Sequence, residues 1–159
     1  MVFPGKQVDM ESFQGKRAAF EHACKEAGLR LTHQRLEIYS ELAVAADHPT
    51  ADTIYQRIRK KIPTISLDTV YRTLATFAHH GLINKIETAE SQARFEVKLM
   101  RHHHVICRRC NRITDFQWES LDDLSLPAEI DRWGWIENRN VIAYGICTAC
   151  TEGNKRSIE

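Results

Sequence analysis

"SLDTVYRTLATFAHHG", residues 66–81, decides how the first half of the chain is read. Ser66 stands where a helix N-cap belongs, and Gly81 where a helix ends in left-handed backbone. Between them Leu67, Val70, Leu74 and Phe77 recur at helical spacing as an apolar stripe, while Thr69, Arg72, Thr73 and Thr76 face the other way. Upstream, "TADTIYQRIRKKI" (50–62) places Ile54, Ile58 and Ile62 on one helical face. Before it, "LTHQRLEIYSELAVA" (31–45) opens on Thr32 as an N-cap and repeats Leu36, Tyr39, Leu42 and Ala43 at helical spacing. Downstream, "LINKIETAESQARFEV" (82–97) reads as two short strands around a polar turn. Three helices and a hairpin make a winged helix-turn-helix, assigned to residues 1–97.

The polar face of the third helix is its functional side. It carries Arg72 and three threonines with few acidic groups, a composition suited to a major groove. Arginine bonds a guanine edge in bidentate fashion, and Thr69, Thr73 or the Tyr71 ring can meet a thymine methyl. Lys60 and Lys61, with Arg57 and Arg59 in "RIRKK", are candidates for phosphate contacts that set register. The plainer reading is a solvated helix face, and the helix pattern alone does not separate the two.

Composition bounds the rest. The 159 residues are 43% hydrophobic and 27% charged, as in a globular protein. No apolar run approaches bilayer length, and "MVFPGKQVDMESF" lacks the form of a signal peptide. The expectation is a cytoplasmic protein without a membrane partner, in which paired cysteines bind metal or cycle redox states. Net charge is +1, with 13 basic and 12 acidic residues up to Val97 and nine of each beyond it. A large uniform basic field is excluded, whereas charge gathered on one face is not. Near "EVKLMR" (96–101) the helical pattern gives way to short strand-like runs, and the second domain is assigned to residues 101–159.

That second half holds Cys107-x-x-Cys110 and Cys147-x-x-Cys150, two knuckles 36 residues apart. Four thiolates suit a closed tetrahedral zinc site that contributes to folding. A domain of about 60 residues has little core of its own and benefits from such a staple. The competing reading is a redox dithiol in either knuckle. Cys24 is left over and reads as a small buried hydrophobe. Ahead of the first knuckle stands "HHHVIC" (102–107). In a strand, His102 and His104 share a face and His103 points oppositely. A four-cysteine site is already full, so these histidines belong to a second centre or to none. His102-x-His104 with Asp115 could also hold a hydrolytic zinc, although no general base accompanies them. The tail "TEGNKRSIE" reads as frayed.

Together "HPTADTIY", "SLDTVYRTL", "RFEV", "HHHVICRRC", "ITDF" and "YGICTAC" resemble the ferric uptake regulator (Fur) family of bacterial metal-dependent repressors, from about residue 18 to Cys150. The resemblance implies an α+β chain: an N-terminal winged helix-turn-helix domain followed by a small α/β, zinc-stapled dimerisation domain. It implies a structural zinc and a regulatory divalent metal at the hinge, held by His48, Glu96, His102, His104 and Asp115. Three imidazoles and two carboxylates suit iron(II) or manganese(II), with zinc(II) a third fit. Partners implied are a second copy of the chain and a palindromic, AT-rich double-stranded operator. The zinc-responsive branch uses a cysteine in its regulatory site, and none stands in register here. An extra site of iron-responsive members falls on Arg101, His103 and Asn140, so it looks absent and His103 reads as a bystander. Glu96 and the pair Arg72–Thr73 lean toward iron response. Peroxide response through oxidation of a ligating histidine is the alternative.

Overall fold

A computed structural model of the chain describes residues 7–88, 92–97, 101–136 and 138–155. The centre of the polar turn, the middle of "EVKLMR" and the last four residues of the tail lie outside the described residues. The chain divides into two compact units, Met1–Lys98 and Leu99–Glu159.

The first unit runs α1 (Gln7–Glu26), α2 (His33–Val44), α3 (Ala51–Ile58), α4 (Leu67–His79), β1 (Asn84–Ile86) and β2 (Arg94–Glu96). Its helices begin where side-chain oxygens can satisfy free backbone N–H groups. Thr32 accepts from the N–H of Arg35, Thr50 from Thr53 and Ser66 from Thr69. The helix α4 closes at Gly81, whose φ of 67° lets the N–H of Leu82 reach the carbonyl of Phe77 at 2.9 Å. β1 and β2 pair antiparallel, with Asn84 opposite Glu96. One core joins all four helices and the wing, through Phe20, Cys24, Ile38, Leu42, Ile54, Ile58, Val70, Leu74, Phe77 and Phe95. The Phe20 ring stacks on Tyr39 at 3.7 Å and meets the edge of Phe77 at 5.0 Å. Cys24 is thus a core residue, 1% exposed.

Thr73 departs from expectation. It is buried, at 6% exposure, rather than open on the polar face. It precedes Leu74 and lies three residues after Val70 and four before Phe77, so it borders the buried stripe.

The second unit runs β3 (His103–Cys107), β4 (Ile113–Phe116), α5 (Glu119–Asp122), α6 (Ala128–Asp131), β5 (Ile142–Gly145) and α7 (Thr148–Lys155). Its sheet has the order β4-β3-β5, with β3 antiparallel to β4 and parallel to β5. A parallel neighbour requires a crossover, and α5 and α6 fill it. The tail does not fray at once: Thr148–Lys155 is helical, because the second knuckle itself forms the first turn, with the Cys150 N–H on the Cys147 carbonyl.

Candidate metal centres and nucleic-acid face

The parallel register explains the cysteine cluster. Cys107 at the end of β3 lies opposite Gly145 at the end of β5, so both knuckles emerge at one end of the sheet. Asn111, in left-handed backbone at φ 57°, turns the first knuckle back, its N–H on the Cys107 carbonyl. The four sulfur atoms lie within 4.8 Å of one another, and the Sγ atoms of Cys110 and Cys147 are 3.7 Å apart. Tetrahedral ligands at the usual zinc–sulfur distance stand about 3.8 Å apart, so the cluster fits zinc. The N–H groups of Cys147 and Arg109 approach Cys107 Sγ at 3.3 and 3.4 Å. Backbone N–H groups of Cys110, Cys147 and Arg109 lower the Cys107 thiol to about 6, which favours the thiolate that a metal takes. Hydrogen bonding with the Cys147 and Cys110 thiols pushes Cys150 up to about 12. Arg109 also donates to the Cys150 carbonyl at 2.7 Å, tying one knuckle to the other.

The five expected hinge ligands divide between the units. In the first, His48 and Glu96 are each 6% exposed, with His48 Nε2 3.0 Å from a Glu96 oxygen. Strand pairing brings them together: Phe95 N–H bonds the Pro49 carbonyl at 3.0 Å, and Thr50 bridges Arg94. His48 pays for this position with a φ of 47°, a region few non-glycine residues occupy. In the second unit, His102 and His104 approach through their Nε2 atoms at 3.1 Å, and Asp115 lies 3.5 Å from His104 Nε2. Asp115 faces His104 because the β3–β4 register pairs them. Neighbouring donors 2.0–2.2 Å from a divalent ion are separated by about 2.8–3.6 Å, so these pairs have metal-ligand spacing.

His103, read as a bystander to the metal site, is held inside the fold. It is fully buried, and its Nδ1 accepts from the Val141 N–H at 3.1 Å, which places the ring proton on Nε2. That edge faces Asp122 Oδ1 at 3.6 Å. The reason is that both faces of β3 are covered at its start, so alternation leads to two buried environments rather than to one buried and one wet.

On the first unit, Tyr71 and Arg72 stand on the exposed face of α4, with the Arg72 side chain 81% exposed. Thr69 is half-buried and shares a 2.8 Å hydrogen bond with Ser66. Lys60 and Arg59 are exposed, whereas Lys61 lies 3.2 Å from Glu41 and 3.8 Å from Glu37. Arg57 is held by both oxygens of Asp47. Half of "RIRKK", Arg57 and Lys61, is therefore engaged by carboxylates of α2 and the loop after it. The sequence reading missed Arg30, Gln34 and Arg35, which with Asp68, Arg72 and the threonines of α4 line a cavity of about 380 Å³. Their signal was local: two arginines flanking the Thr32 cap.

A winged-helix unit, a tetrathiolate knuckle and buried His/carboxylate groups define a class: the metal-dependent DNA-binding regulators. The chain belongs to the ferric uptake regulator family, whose sequence model matches residues 26–135. Members of this family are transcriptional regulators that bind DNA as dimers. It is 32% identical over 145 residues to the peroxide-responsive repressor PerR of Staphylococcus epidermidis, covering 91% of this chain and 97% of that one. The iron-containing ferric uptake regulator of Francisella tularensis shares 25% identity at a TM-score of 0.67, covering 78% of this chain and 96% of that one. The Helicobacter pylori ferric uptake regulator, described with three functional metal-binding sites, shares the fold at TM-score 0.71 and 24% identity, over 87% of this chain and 93% of that one. Among the described residues no helix is long and apolar enough to cross a membrane.

Proposed function

We propose that the chain is an iron-responsive transcriptional repressor in which one divalent metal bridges its two domains, residues 1–97 and 101–159. The observation that carries this reading is the division of the donors: a buried His48–Glu96 pair in one unit, and the His102, His104 and Asp115 group in the other. Neither group alone completes a coordination shell. A metal taking donors from both selects one relative orientation of the domains, and ligands shift such equilibria only by their differential affinity. A coupling of about 1–3 kcal/mol suffices for five- to 150-fold regulation. The mixed N/O donors accept iron(II) or manganese(II), and zinc(II) as a third choice.

In this reading Arg72, Tyr71 and Thr69 read base edges, with Thr73 beneath them and Lys60 and Lys61 beside the backbone. A homodimer presents two such helices to a palindromic, AT-rich operator in the cytoplasm. Exposed Trp133 and Trp135 of the second unit suit a protein partner better than water. Catalysis is not part of the reading, because five protein donors leave little room for substrate.

The test uses the duplex that the iron-loaded protein enriches from a random library. His102→Ala and His104→Ala should each abolish metal-dependent binding to it while the zinc content and dimer persist; unchanged binding by both overturns the reading. A second reading has a specific support, the 32% identity to a peroxide-responsive repressor. It predicts that stoichiometric peroxide releases the anaerobic iron-loaded protein from DNA and adds one oxygen to the peptide containing His102 and His104. Retention on DNA until iron is chelated supports iron response.

A further inference from the structure

Two exposed side chains of α4, Tyr71 and Arg72, are held differently. Arg72 Nε is 2.9 Å from Asp68 one turn away, but both groups are largely exposed, at 81% and 68%. Exposed pairs of this kind constrain little. Tyr71 is tied across elements instead: its hydroxyl donates to Asp52 Oδ2 of α3 at 2.7 Å. That is the length of a charge-assisted O–H···O⁻ bond. Asp52 stands second in α3, after the Thr50 cap, where the helix N-terminus favours a carboxylate. Ile54 and Ile58 of α3 and Val70 and Leu74 of α4 are wholly buried in one core. The two ends of the bond are therefore carried by backbones fixed against each other. The bond to Asp52 also holds the Tyr71 hydroxyl above its ordinary range, keeping it a donor.

We propose that Asp52 is a positioning residue: it selects one rotamer of Tyr71, so that the ring presents its apolar edge to a thymine methyl. The proposal rests on the DNA-binding reading above and deepens it. A phenol ring left free samples several staggered wells. Ordering it before DNA arrives removes that cost from binding. With its hydroxyl proton committed to Asp52, the ring has its carbon edge left for discrimination. A carboxylate beside DNA is otherwise unfavourable, because it repels phosphates. The two roles therefore have opposite signs. As a bare surface charge, removal of Asp52 strengthens binding to every duplex; as a positioning residue, removal weakens binding to the selected one.

The experiment takes the full-length, metal-loaded dimer and the duplex it enriches from a random library, with each thymine replaced singly by uracil. The wild type should lose about fourfold at one thymine, the worth of one methyl-sized apolar group. Asp52→Ala should bind the selected duplex more weakly, lose that uracil response, and bind a shuffled duplex as well as or better than the wild type. Asp52→Asn keeps the acceptor without the charge and should restore the uracil response. Tyr71→Phe should lower affinity as Asp52→Ala does, with no further loss in the double variant. Equal tightening on both duplexes by Asp52→Ala, or an intact uracil response in it, overturns the proposal, as does a wild type indifferent to uracil everywhere. A wild type that enriches no duplex at all overturns the DNA-binding reading itself.

Discussion

The two units of this chain are held together by different physics. The first encloses an apolar core of fifteen residues among those described, from Phe20 to Val97, drawn from every helix and the wing. In the second, the buried apolar side chains among the described residues are Ile106, Cys107 and Ile113, with three histidines beside them. Trp118, Trp133 and Trp135 are 46%, 76% and 81% exposed. A unit with so little core depends on a cross-link and a partner, whereas the helical unit folds by burial alone. The first unit is thus expected to hold its fold by burial, and the second to gain most from a metal cross-link.

The largest expected effect breaks the second unit alone. Structural zinc contributes about 10–16 kcal/mol in small zinc domains. Cys147→Ser should abolish the cooperative unfolding transition seen by tryptophan fluorescence. That signal reports only the second unit, since all three tryptophans lie there. The helical circular-dichroism transition should persist, and its collapse would show that the first unit is not self-sufficient. The converse variant is Phe77→Ala, at the centre of the first core. It should destabilise that unit by about 3–5 kcal/mol, lowering the urea midpoint of the helical signal while zinc content stays at one per chain.

A smaller effect concerns the exposed aromatics. Trp135→Ala should leave the stability of the monomeric second unit within about 0.5 kcal/mol. It should raise the dimer dissociation constant by more than tenfold, as buried interface tryptophans do; sedimentation at graded concentrations separates the two. The smallest effect is electrostatic. The hydrogen bond from Arg57 holds the Asp47 carboxyl below its ordinary range. A depressed carboxylate stabilises the fold above its unfolded value near 4 and loses that contribution as pH falls through the folded value. Asp47 is 53% exposed, so screening limits the pair to about 0.5 kcal/mol. Asp47→Asn should show that deficit at pH 7 and match the wild type near pH 2 in the helical transition.

Many local signals were legible, although the helix that opens the tail was read as frayed chain. Thr32, Ser66 and Gly81 marked helix ends because capping depends on residues within one turn. The two Cys-x-x-Cys pairs announced a zinc site because knuckle spacing is itself the geometry of two ligands. Non-local features were not legible. Thr73 counted as polar and exposed, yet the helix α4 turns it against its own buried stripe. Lys61 counted as a candidate phosphate contact, and only the packing of α2 places Glu37 and Glu41 beside it. His103 read as a bystander with no assigned partner, yet the chain entering the parallel strand β5 supplies the Val141 N–H.

By itself, then, the sequence determined the winged-helix elements, the family and the zinc chemistry, because periodicity, caps and short ligand spacings are properties of consecutive residues. Tertiary structure alone decided which polar groups remain available for DNA and which are already committed. It set His48 against Glu96 across 47 intervening residues and Tyr71 against Asp52 across 18. Such pairings follow from how strands and helices pack, and a linear pattern carries no record of them until burial has fixed each backbone in place.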